Sequence, residues 1–219
     1  MDLLHLIAYF LPLCFLAVFI GHLGKKFLLY LFWGFLAAVP VFIIVSLNLG
    51  KLLNIAAPTI NISPVIEEFF KVLPLVLAVL VFRRNTNRDI LIYAMAIGIG
   101  FSIIENLVIL REDPYFFTIL IRSFSTSLMH GCTCAVFGYG LVLIRDVDRR
   151  ALPALLTGFF MVAVLIHAFF NLVDEHFGLV GDITDLILPF LLFQFLLLCY
   201  HVDIPRLFSP DPMNGEPGA

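Results

Sequence analysis

The chain lacks the two-residue alternation of apolar and polar positions that marks a half-buried strand. Its apolar residues come instead in long continuous runs, bounded by charged or Pro/Gly-containing segments. The runs lie at roughly 3–22, 27–49, 63–82, 90–110, 124–144, 152–173 and 183–201. Each is close to the ~20 residues that a helix needs to cross a hydrocarbon core. The pattern therefore predicts an all-α, polytopic transmembrane bundle of about seven spans; a β-barrel would show alternating segments of ~10 residues. The first run opens with Asp2 and has no basic region before it, so it reads as a retained span rather than a cleaved signal peptide. Residues 1–202 read as one bundle. Residues 203–219, with Pro205, Pro210, Pro212 and Pro217, read as a short irregular tail. No repeat suggests transporter halves, and no second domain is apparent.

Composition agrees with this reading. The 219 residues are 62% hydrophobic and 13% charged, with a mean hydropathy of +1.07. Soluble domains run near 45–50% apolar and about 25% charged, so a water-soluble globule with one core is excluded, as are disorder and a disulfide scaffold. The net charge is −3 and no basic run exceeds two residues, which implies no nucleic-acid partner. Cys14, Cys132, Cys134 and Cys199 all lie in apolar runs, where a small soft side chain is ordinary packing.

Charge also orients the bundle. Lys25, Lys26, Arg83, Arg84, Arg88, Arg145, Arg149, Arg150 and Arg206 fall on one side, and only Lys51, Arg111 and Arg122 on the other. The positive-inside rule puts the nine-residue side in the cytoplasm. The N-terminus is then outside and the C-terminus cytoplasmic.

Within the spans, Glu67, Glu68, Lys71, Glu105, Asn106, His130, His167 and Asn171 stand out. An ionised residue at a helix centre costs ~2.5–3.5 kcal/mol, less towards the interface, so these residues point to function. Counted from the predicted span ends, Glu67 and Glu68 lie about one turn into the third span, roughly 6–8 Å at 1.5 Å per residue. Glu105, His130, His167 and Asn171 lie at similar counts from the same side. Four helices thus bring their costly groups into one extracytoplasmic layer, on the site-bearing stretch of about 63–173. Ser63-Pro64 reads as an N-cap followed by Pro at N1. Lys71 is placed to pair with Glu67 (i+4) or Glu68 (i+3), leaving the other carboxylate as a base, with Glu67 preferred.

Carboxylates and imidazoles in a semi-dry layer suit hydrolysis. A Glu deprotonates water while His or Asn donors stabilise the oxyanion. A metal version is equally open: Glu105, His130 and His167 form a His2Glu zinc set, with Glu67 or Glu68 as base. Asn106 and Asn171 are candidate supporting partners. Other intramembrane protease signatures are absent: no His-Glu-x-x-His and no Gly-x-Gly-Asp occurs.

Glu67-Glu68-Phe69-Phe70-Lys71 resembles the Glu-Glu-x-x-Lys motif of the PrsW intramembrane proteases. Phe101-Ser102-Ile103-Ile104-Glu105-Asn106 resembles their Phe-x-x-x-Glu-Asn motif, and His130 and His167 stand where the family has single histidines on two later helices. More distantly, the chain is similar to the CAAX prenyl endopeptidases and bacteriocin-processing proteins. His167-Ala168-Phe169-Phe170-Asn171 keeps the final pattern shared with them, whereas Glu105 replaces their histidine. The resemblance covers roughly residues 60–175. It implies peptide-bond hydrolysis in a single-span, anti-sigma-factor-like membrane protein and residence in a prokaryotic plasma membrane; it leaves the metal open.

Two other classes fit an intramembrane polar layer: a proton-coupled transporter or channel, and a non-enzymatic scaffold. A proton relay spreads ionisable groups through the depth of the membrane, and here the inner halves of the four spans are nearly all apolar. A remnant scaffold would not be expected to keep every motif residue.

Overall fold

The computed structural model describes Leu6, Phe10 and residues 24–47, 55–81, 86–109, 116–143, 150–176 and 178–202. The predicted span at 3–22 and the tail at 203–219 lie outside the described residues, apart from Leu6 and Phe10. Each of the other six apolar runs carries a helix over its described residues. α1 spans Lys25–Ser46, α2 is a single turn at Pro58–Asn61, and α3 spans Ser63–Val81. α4 covers Asn87–Ile109, α5 Phe116–Leu143, α6 Leu152–His176 and α7 Gly178–Val202.

Four of these helices are long and apolar enough to cross a membrane: Lys25–Val45, Asn87–Ile109, Ile119–Leu143 and Leu152–His176. α7 adds the shorter apolar stretch Ile183–Cys199. α3 is 19 residues long and carries Glu67, Glu68 and Lys71.

Two boundaries differ from the sequence pattern. α5 begins at Phe116, eight residues before the predicted start at 124, because Phe116–Ser123 has a charge only at Arg122 and that charge is paired. α6 runs on to His176 and α7 starts at Gly178, so the gap at 174–182 between the last two apolar runs is mostly helix. Asp174 and Glu175 end the apolar pattern, but neither residue type prevents another helical turn.

α5 is the central helix. Of its spanning stretch 89% is buried, against 28% for α1 and 17% for α6. One core layer joins α1, α4, α5 and α7 through Phe27, Leu31, Met95, Ile99, Ile103, Leu128, Cys132 and Phe193. A second joins α3, α4 and α5 through Val72, Leu75, Tyr93, Ile97, Cys134 and Phe137. The i,i+4 spacing of Met95, Ile99 and Ile103 stacks them along one face of α4. Helix axes come close where side chains vanish: a Cβ on Gly98 would collide with the His130 carbonyl oxygen, and one on Gly100 with that of Leu31. Such small-residue contacts are how helices associate where water supplies no driving force. The outward faces carry exposed Leu29 and Phe32 on α1, Leu165 and Phe169 on α6, and Leu191 and Phe195 on α7, as a lipid-facing surface requires.

Candidate active site

Six of the expected site residues form one buried cluster. α3 supplies Glu67, Glu68 and Lys71, α4 Glu105, α5 His130 and α6 His167. Glu68 and Lys71 are fully buried, and His130 and His167 are each 1% exposed. Burial on that scale demands partners for every charge, and the partners are found within the cluster.

Glu68 Oε1 is the hub. It accepts from Lys71 Nζ at 2.7 Å, from Thr133 Oγ1 at 3.2 Å and from His167 Nδ1 at 2.8 Å. A carboxylate only accepts, so Nδ1 of His167 carries the proton and Nε2 is left with its lone pair. That Nε2 lies 3.6 Å from Glu67 Oε2. Lys71 Nζ also reaches His130 Nδ1 at 2.8 Å and stands 4.4 Å above the Phe101 ring. An ammonium only donates, so Nδ1 of His130 accepts and Nε2 donates to Glu105 Oε2 at 2.6 Å. The two imidazoles pack edge to face with centroids 4.8 Å apart.

Both glutamates keep an Oε2 with no hydrogen-bond partner among the described residues. Glu67 differs in being 7% exposed, with Lys71 Nζ 3.9 Å from its Oε2. Glu67, His130 and His167 offer ligand atoms that all lie within 4.8 Å of one another. The sequence reading assembled its metal set from Glu105 rather than Glu67; in the structure Glu105 is the hydrogen-bond partner of His130.

The cluster borders a cleft of about 370 Å³, lined by Glu67 and Glu105 among others. One wall is apolar, from Val41, Phe42 and Val45 of α1 with Phe101 and Ile109 of α4. The rest of the lining includes a polar group: Thr59, Arg122, Asn171, Asp174 and Glu175. These lining residues sit where α1, α4 and α6 end and α3 and α5 begin, so the cleft lies at one end of the bundle. Within this group Arg122 Nη1 donates to Asp174 Oδ1 at 2.9 Å, and Thr59 Oγ1 to Glu175 Oε2 at 2.8 Å.

Two expected residues stand outside the cluster. Asn171 Nδ2 donates to the Thr59 carbonyl at 3.0 Å and ties α6 to the turn of α2. Asn106 Nδ2 donates to Thr126 Oγ1 at 2.6 Å, clamping α4 to α5. Conversely, sequence reasoning passed over Thr133, although it stands three residues after His130 on the same helical face. It also passed over Phe101, the first residue of the second motif. Arg122 was not among the expected site residues.

In the comparison with protein families, residues 24–199 match the PrsW family intramembrane metalloproteases. Neither the comparison with curated proteins nor that with solved structures finds a match. The matched region takes in every described helix from α1 to most of α7, and with it the whole ionisable cluster and its cleft. The chain therefore belongs to the PrsW family of intramembrane metalloproteases: it is an integral membrane protease that acts on membrane proteins.

Proposed function

We propose that the protein cleaves a membrane-anchored protein near the extracytoplasmic face, by attack of a water held in the cleft beside Glu67 and Glu105. The observation that carries this reading is the convergence of Glu67, His130 and His167 within 4.8 Å at the edge of a cleft that Glu105 also lines. The proposed topology has seven spans, the first at 3–22, with the N-terminus outside and the C-terminus in the cytoplasm of a prokaryotic cell. An anti-sigma-factor-like single-span protein is the substrate suggested by the family resemblance.

The donor set fits a zinc ion: two imidazoles and one carboxylate, with a buried Glu67 oxygen that lacks any hydrogen-bond partner among the described residues. Glu67, His130 and His167 would hold it. When bound, the ion supplies Lewis-acid polarisation of water and carbonyl. Glu68 takes the part of the carboxylate that fixes a ligating histidine, since it holds Nδ1 of His167 and leaves Nε2 for coordination. To hold the ion through Nε2, His130 would give up its 2.6 Å bond to Glu105, release the Nε2 proton to solvent and take one from Lys71 at Nδ1. Glu105, so released, accepts the proton of the attacking water and returns it to the leaving amine. The roles of Glu67 and Glu105 are thereby exchanged relative to the sequence expectation. Lys71, which has no exposed surface, holds Glu68 and His130 in position.

Purified protein assayed on a panel of single-span substrates, with metal content measured alongside, tests this. Glu67→Gln, His130→Ala and His167→Ala should lower bound zinc and activity together. Glu105→Gln should keep zinc and lose activity by 10²–10⁴-fold, the usual worth of a general base. Full activity in metal-free protein would return Glu67 to the role of base and remove zinc from the mechanism.

A further inference from the structure

We propose that Arg122 is a substrate-binding residue, whose guanidinium donates hydrogen bonds to a main-chain carbonyl of an unwound, apolar segment of the substrate lying in the cleft. The inference rests on the protease reading above and names what the cleft holds.

Three observations converge on it. Arg122 lines the same cleft as Glu67 and Glu105, with its side chain 30% exposed, so it is open to a ligand there. Among the described residues the guanidinium makes one hydrogen bond, from Nη1 to Asp174 Oδ1 at 2.9 Å, and the buried Nε has no partner. A guanidinium offers five donors, and a buried one without an acceptor is costly. The same cleft has an apolar part to its lining, from Val41, Phe42 and Val45.

The chemistry of the occupant follows. A spanning helix satisfies its own carbonyls, and its scissile bond becomes accessible only when the segment unwinds. Each carbonyl freed in this way, away from water, is costly unless a donor meets it. Arg122 is that donor, and the apolar wall takes the neighbouring side chain. A substrate carboxylate does not suit the position: Asp174 already balances the guanidinium, and Glu67, Glu105 and Glu175 on the same cleft repel a further negative charge.

The test uses the full-length protein in nanodiscs and a set of fluorescein-labelled synthetic single-span peptides with apolar juxtamembrane segments. Cleavage is followed by mass spectrometry and binding by anisotropy. Arg122→Gln should raise KM and weaken peptide binding on the order of tenfold, with kcat within about threefold, as expected for loss of a charge-assisted hydrogen bond made throughout the reaction. Arg122→Lys should fall between. Asp174→Asn, which keeps an acceptor for Nη1, should leave KM within about twofold. A purely structural clamp predicts otherwise: Arg122→Gln and Asp174→Asn would shift KM and melting temperature equally, and that result overturns the proposal, as does unchanged binding in Arg122→Gln. Peptides that bind in an Arg122-dependent manner but are never cut would overturn the protease reading and leave the Arg122 contact standing.

Discussion

Lys71 has no exposed surface, yet it lies 2.7 Å from Glu68, 2.8 Å from His130 and 4.4 Å above the Phe101 ring. From sequence it reads as a neutralising partner for one glutamate. The structure gives it a second task, because its donation to Nδ1 fixes which nitrogen of His130 faces Glu105. Removing one member of a buried pair strands the other, at a cost of about 3–5 kcal/mol. Lys71→Met should therefore destabilise the folded protein by about that amount, measured by denaturant unfolding in detergent. The double variant Lys71→Met with Glu68→Gln should recover part of the loss, since it no longer buries an unpaired carboxylate. Wild-type stability in Lys71→Met would mean that Glu68 is already neutral in the folded state.

Between helices, the decisive contact for the site involves no functional side chain. Gly98 on α4 lies against the His130 carbonyl on α5, and the Asn106–Thr126 hydrogen bond of 2.6 Å clamps the same pair of helices farther along. The register of α4 on α5 sets whether Glu105 meets His130. A methyl group at position 98 would push the two backbones apart. Gly98→Ala should cost about 1–3 kcal/mol, the usual range for overpacking, and lower turnover more than stability alone explains. Thermal unfolding in detergent alongside cleavage rates of the purified protein would check both. An active, fully stable Gly98→Ala protein would show that α4 and α5 can separate without disturbing the Glu105–His130 pair. The early start of α5 belongs to the same scale. It puts His130 fourteen residues into its helix, about 21 Å at 1.5 Å per residue, rather than six into a span. The added turns carry Arg122 to the cleft rim.

For the molecule as a whole, the cleft gathers the ends of α1, α4 and α6 and the starts of α3 and α5, so its sidedness follows from the topology. The nine-to-three division of basic residues predicts that this end is extracytoplasmic. Cysteines introduced at Arg84 and Asp182 should then react with impermeant reagents from opposite faces, with position 182 labelled from outside. Labelling of both from one face would break the seven-span arrangement. A cut mapped to the cytoplasmic half of any substrate would reverse the orientation.

The local sequence was enough to identify helices, membrane residence and the ionisable residues that the fold gathers into one cluster. Long apolar runs can satisfy their backbone in lipid only as helices. Ionisable groups such as Glu67, Glu68, Lys71 and Glu105 are too costly in that setting to be incidental. Those are properties of a residue and its neighbours along the chain. Partner choice was not legible, because it depends on which helix faces lie together. Glu68 Oε1 as the acceptor of three donors, Glu67 beside the two imidazoles, and Glu105 on His130 rather than among the converging ligand atoms all follow from the packing of four helices at Gly98 and its neighbours. The pairing of Arg122 with Asp174 spans 52 residues, and only the tertiary fold brings that guanidinium to the cleft.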